Sequence, residues 1–202
     1  MRFAAVADVP DETDLLTPRE RSRRDRLVSA DDRDAYVAAH VLVRRCAAEL
    51  LGLAVEDVVL AQRCPTCGSD DHGRPYAGGT DVHLSLSHTR GTVAAMAAYA
   101  RCGVDVETAH DGPPPHGTLT AREEAWVAER PDPGLAFTRL WVRKEALVKA
   151  GVAGLAEAGE LDVLQAGPDG LRPADLRDGV VLAEWRGAGA VGAWAVARPS
   201  SA

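Results

Sequence analysis

Only two residues of this 202-residue chain are lysine, Lys144 and Lys149, and they flank Glu145 in LWVRKEALVKAG, residues 140–151. The rest of its 23 basic residues are arginine. Arginine supplies a generic positive charge, whereas lysine brings a compact, mobile point charge that can approach one phosphate oxygen and take part in proton transfer. Asp105 and Glu107 stand two apart in CGVDVE. In a strand that spacing puts both carboxylates on one face, with bases ~7 Å apart, where they repel each other unless a cation or a proton intervenes. With Glu145 as a third carboxylate, the set offers the hard oxygen donors that Mg²⁺ prefers. A metal carboxylate beside two ammonium groups suits a Mg²⁺-bound pyrophosphate. The same residues would also serve a solvated strand edge and a surface helix with an ordinary Glu–Lys pair four residues apart.

Other candidates lie upstream. SLSHTRG places Ser87 and His88 at a strand end before a turn, where a hydroxyl and an imidazole could hold a phosphate. HGRP sets Arg74 in a turn held by glycine and proline, a second possible phosphate contact. CPTCG holds Cys64 and Cys67 with only His72 nearby, which is half of a zinc site; the expectation is a tight turn carrying two thiols.

These residues need elements to position them. Thr17, Pro18 and Glu20 form a helix-start signal, and residues 32–51 follow as a strongly periodic helix closed by Gly52. DVVLAQR reads as a short strand. In DVHLSLSH, Val82, Leu84 and Leu86 alternate with His83, Ser85 and Ser87, the pattern of a half-buried strand. TVAAMAAYA reads as a buried strand or, on propensity alone, a helix. CGVDVE alternates too, and its apolar flanks point to a central strand with Val104 and Val106 inward. After the proline-rich residues 111–117 the order repeats. A capping box at Thr120 and Glu123 opens one helix, and PDPGLAFTRLWVRKEALVKAG forms the next. LDVLQA, VVLAEWRG and AVGAWAVAR read as three strands. On the second helix Phe137, Trp141, Lys144, Glu145 and Val148 share one side, which turns Glu145 toward a core boundary or cleft. The expected fold is α+β: two similar lobes, 1–110 and 111–202, each with helices on a small antiparallel sheet, and the GVDVE strand at their junction.

Composition excludes several classes. A net charge of −7 argues against nucleic-acid binding. No apolar run approaches the ~20 residues of a membrane span, and the N-terminus turns acidic too soon for a signal peptide. A cytoplasmic monomer is expected. Four cysteines are too few for a disulfide scaffold at this length.

SLSHTRG, CGVDVE and LWVRKEALVKAGVAGL, in that order and spacing, resemble the 4′-phosphopantetheinyl transferase superfamily, and the length resembles its two-lobed, surfactin-type (Sfp-like) class. The resemblance implies a pseudo-dimer of two α+β lobes with the active site between them. It implies Mg²⁺-dependent transfer of the phosphopantetheine arm of coenzyme A to a serine of an apo acyl or peptidyl carrier protein, releasing adenosine 3′,5′-bisphosphate. Asp105, Glu107 and Glu145 would then bind the metal. Lys149 would contact the phosphate under attack, and Lys144, Ser87, His88 and Arg74 would bind coenzyme A phosphates. Glu123 matches a carboxylate proposed as general base, although its capping position is a structural reason of its own to be glutamate. Ala35 stands where the family often has arginine, with Arg33 nearby. A coenzyme A or carrier-protein binding module without catalysis is the alternative, and a zinc-stapled adaptor is a third reading.

Overall fold

The computed structural model describes residues 1–64, 66–70, 73–164, 174–176, 179–187 and 189–197. The protein is α+β, with four α-helices and two antiparallel sheets among the described residues. It divides into two compact units, Met1–Arg101 and Cys102–Ala202.

The first unit runs β1 (Arg2–Ala5), α1 (Pro18–Arg24), α2 (Ala30–Leu51), β2 (Leu60–Arg63), β3 (Arg74–Ala77), β4 (His83–Thr89) and β5 (Thr92–Ala98). Its sheet order is β1-β5-β4-β3-β2. The helix signals act as expected. Thr17 accepts a hydrogen bond from the Glu20 N–H, Glu20 accepts one from the Thr17 N–H, and Pro18 fills the first turn. Gly52 ends α2 with φ 68°, a left-handed conformation that glycine adopts without a Cβ clash. Small residues of α2, among them Ala38, Ala39 and Ala47, lie close against Val82, Leu84, Val93 and Ala95 of the sheet. TVAAMAAYA is a strand because both its faces are covered: Thr92–Met96 are all buried.

The second unit runs β6 (Cys102–Thr108), α3 (Ala121–Ala128), α4 (Pro133–Lys149), β7 (Ala174–Leu176), β8 (Val180–Gly187) and β9 (Ala190–Ala197), with sheet order β6-β9-β8-β7. Leu140, Ala146, Leu147 and Ala150 pack with Leu182, Ala193 and Ala195 in its core. Arg139 and Arg143 tie α4 to β8 through Glu184, at 3.0 and 3.3 Å.

Three expectations are corrected. CGVDVE is not a central strand: β6 is the edge of the second sheet, paired antiparallel with β9. α4 lies over its Asp105 face, and Val104 and Val106 on the opposite face are buried as well, so the strand is buried although it is an edge. Of LDVLQA, residues 161–164 form no strand and residues 165–166 lie outside the described residues; the short strand falls at Ala174–Leu176 instead. The N-terminal strand β1, missed in the sequence, pairs with β5. Four residues reading RFAA carry no alternation long enough to signal a strand. No helix among the described residues is long and apolar enough to cross a membrane.

Candidate active site

Gly103 is the hinge of the site's geometry. A Cβ there would stand 2.0 Å from the Ala146 carbonyl oxygen and 2.6 Å from the Ala150 nitrogen. Only glycine lets the last turns of α4 come this close to β6. Alternation along the strand then puts Gly103, Asp105 and Glu107 on the α4 side. Lys149, in the last turn of α4, reaches across: its Nζ donates to Asp105 Oδ1 at 2.6 Å and to the Val104 carbonyl at 3.2 Å. Asp105 is nearly sealed, whereas the Lys149 side chain keeps 29% of its surface exposed. Glu145 lies in the same field. Its carboxyl is raised above the ordinary glutamate range, first by burial and then by the negative charge of Asp105, with Lys149 opposing.

Asp105, Glu145 and Lys149 therefore form one electrostatic cluster on two elements. Among the described residues, no group of three or more His, Cys, Asp and Glu is arranged to hold a metal, so the three expected ligands do not converge as a ready cage. The donor set nonetheless fits a hard cation. Three carboxylates supply the oxygen ligands such a cation prefers, and two of them, Asp105 and Glu107, lie on the α4 side of β6. Glu107 is half-buried and lines a cavity of about 540 Å³ with His110, Phe137, Trp141, Thr118 and Thr138. Phe137 and Trp141 stack at 6.2 Å, and His110 meets Phe137 edge-on at 5.1 Å.

Lys144 and Glu123 are elsewhere. Lys144 Nζ pairs with Glu123 Oε2 at 2.7 Å, and neither side chain has any exposed surface. Lys144 also donates to the Gly159 carbonyl. Glu123 further accepts from the Thr120 and Val163 N–H groups, both at 2.9 Å. The expectation that Lys144 contacts coenzyme phosphates and Glu123 acts as a base is at odds with this geometry. Both polar ends face protein, and the helix stripe that seemed to group Lys144 with Glu145 separates them by about 100°.

In the first unit, Ser87 is half-buried and His88 exposed at the end of β4, and Arg74 opens β3 opposite Arg63. Gly73 and Pro75, which flank Arg74, line a cavity of about 560 Å³ with Arg19, Arg23, Tyr36 and His40. Sequence reasoning missed this α1–α2 contribution. Burial pushes His40 down to about 4, with the charges of Arg44 and His88 adding to the shift and Glu20 opposing it. Its ring stacks on Tyr36 at 4.0 Å. Their four-residue spacing on one helix face was the available signal. Arg33 donates to the Leu27 and Val28 carbonyls, and Ala35 is buried. Cys64 and Cys67 occupy a tight turn in which the Gly68 N–H bonds the Cys64 carbonyl, and no disulfide forms.

The segment carrying the Lys149 cluster decides the comparison. Residues 101–197 match the family model of the 4′-phosphopantetheinyl transferase superfamily. No curated protein matches the chain. The match spans β6 through β9, so it includes Asp105, Glu107, Glu145 and Lys149, and it supports a transferase acting on phosphopantetheine in general.

Proposed function

We propose that this protein transfers the 4′-phosphopantetheine arm of coenzyme A to a serine of an apo acyl or peptidyl carrier protein, as a surfactin-type enzyme working as a cytoplasmic monomer of two similar halves. The observation that carries the reading is the Asp105–Lys149 contact beside Glu145, built by a close helix–strand packing at Gly103 within the matched region. In the reaction the serine Oγ attacks the phosphorus that bears the pantetheine arm. The bond from that phosphorus to the bridging oxygen breaks, adenosine 3′,5′-bisphosphate leaves with the bonding pair on that oxygen, and the serine hydroxyl proton passes to solvent.

Asp105, Glu107 and Glu145 would hold Mg²⁺, which supplies Lewis-acid neutralisation of the pyrophosphate charge when bound. Lys149 has the exposure and reach to turn from Asp105 to a phosphate oxygen, where its charge counters what develops in the transition state. Glu145, being half-buried and electrostatically strained by Asp105, gains most from an arriving cation. Arg19 and Arg23 line the first unit's cavity with guanidinium groups suited to the phosphates of the coenzyme, with Arg74, Ser87 and His88 on neighbouring strands as further contacts.

Mass spectrometry of several apo-carrier proteins incubated with the protein, coenzyme A and Mg²⁺ tests the reading. The expected result is a carrier heavier by one phosphopantetheine arm, dependent on Mg²⁺. Coenzyme A binding with no arm transferred to any carrier would favour the non-catalytic binding module.

A further inference from the structure

We infer that Glu123 and Lys144 are a positioning pair, which locks the rotation of α4 so that Glu145 and Lys149 face Asp105, and that the coenzyme meets Lys149 alone of the two lysines. The inference rests on the proposed function for what the positioned groups do, but the pair itself is read from the fold.

Three observations support it. The first is closure: the Lys144 and Glu123 side chains have no exposed surface, and they bond each other, the Gly159 carbonyl and the Thr120 and Val163 N–H groups. Glu123 accepts three hydrogen bonds from protein and has no exposed surface, so its carboxylate is held as a structural acceptor. The second is the lattice around them. Val163 is gripped at both ends, its N–H by Glu123 and its carbonyl by the buried Arg143. Arg143 and Lys144 are consecutive in α4, so together they pin one side of the helix to the segment 159–163. Glu145, the next residue, lies about 100° round the helix from Lys144, and Lys149, one turn on from Glu145, reaches Asp105.

The third observation is repetition. In the first unit the capping-box glutamate Glu20 accepts from the Thr17 N–H and from Arg44 of the following helix, each at 2.7 Å, with both side chains buried. In the second unit Glu123 accepts from the Thr120 N–H and from Lys144 of the following helix in the same way, through the same oxygen. One device, a capping glutamate that seizes a buried cation from the next helix, serves both units. Its presence at Glu20 needs no part in the transfer chemistry, so Glu123 needs none either.

The lysine content allows a direct test. Acetylating amines of the native full-length chain with an N-hydroxysuccinimide ester, with and without coenzyme A, leaves only two side chains to follow by mass spectrometry. Lys149 is expected to react and to be shielded by coenzyme A, and Lys144 to react only on unfolding. A native Lys144 that reacts as fast as Lys149, or that coenzyme A shields, overturns the inference. The second arm is the neutral pair Glu123→Gln/Lys144→Gln, compared with wild type by Mg²⁺ calorimetry without turnover and by transfer kinetics. Positioning predicts Mg²⁺ binding weakened about tenfold, the scale of lost support to metal ligands, with KM for coenzyme A within about twofold. Unchanged Mg²⁺ binding with a lowered melting temperature would reduce the pair to stability alone. Loss of the acidic limb of the pH–rate profile would restore Glu123 as the base. If the double variant fails to fold, the labelling decides. If the wild type modifies no carrier, the proposed function falls while labelling and calorimetry still judge the pair.

Discussion

Glu20 and Glu123 begin from the same local motif and end in different surroundings. Both occupy the third position of a capping box, and both bind a cation from the helix that follows. Glu20 borders a cavity, neighbours the imidazole of His40 at 3.8 Å and is paired with arginine. Glu123 is sealed, grips a backbone N–H from a distant segment and is paired with lysine. Arginine, with its planar fork, can bond Glu20 and the His40 carbonyl at once, as Arg44 does. At the enclosed site a smaller ammonium joins Glu123 to the Gly159 carbonyl. The capping box fixes the glutamate, while the surroundings decide whether that glutamate is closed in, as Glu123 is, or borders a ligand-sized space, as Glu20 does.

The largest effect expected from breaking the comparison is at the sealed pair. Glu123→Ala leaves the Lys144 ammonium buried without its counter-charge and should destabilise the protein by about 3–5 kcal/mol. Glu20→Ala should cost less, because Glu20 itself lines a cavity that water can enter once its carboxylate is removed. Denaturant melts of both variants check the order, and equal losses would mean that enclosure does not matter.

Next in size is the other lysine of α4. Lys149→Ala should lower kcat about a hundredfold, roughly 2.7 kcal/mol of barrier, with a small change in melting temperature, since its ammonium is part-exposed. Lys149→Arg should recover little of the rate if point-charge geometry or proton transfer is needed. Steady-state kinetics of both variants read this directly, and near-wild-type kcat for Lys149→Arg would show that charge alone suffices.

The first unit's pair should be the pH-sensitive one. His40 is pushed down to about 4 in the fold, so the unfolded chain binds the extra proton between about 6.5 and 4. Stability from the neutral imidazole is complete above about 6.5 and declines as pH falls toward 4, by at most about 3 kcal/mol. Glu20 acts in the same direction at lower pH. Burial alone would raise its carboxyl, but the hydrogen bonds from Arg44 and the Thr17 N–H hold it below the usual value, so its contribution is lost on further acidification. His40→Gln should flatten the decline between pH 6.5 and 4, measured by urea unfolding across that range.

The smallest effects belong to the caps. Thr17→Ala and Thr120→Ala each remove one hydroxyl acceptor, at 3.2 and 3.3 Å from the glutamate N–H. Each should cost about 1 kcal/mol by thermal melting. A much larger loss at Thr120 would mean that the hydroxyl also orients Glu123 toward Lys144.

Much of this was legible in the chain alone. Both capping boxes, the Gly52 helix end and the inward face of Val82, Leu84 and Leu86 depend on contacts a few residues apart, and the spacing of residue types records them. Asp105, Glu107, Glu145 and Lys149 were legible as candidates for the same reason, since residue chemistry and short spacing are properties of the sequence. What only the tertiary structure decided is which partner each group meets. The Glu20–Arg44 and Glu123–Lys144 pairs, the edge position of β6 beside β9, and the approach of α4 to Gly103 all join segments separated by twenty residues or many more. Helical periodicity places Lys144 and Glu145 about 100° apart round α4. Only the packing of α4, with β6 on one flank and segment 159–163 on the other, seals Lys144 in the interior and leaves Glu145 half-buried.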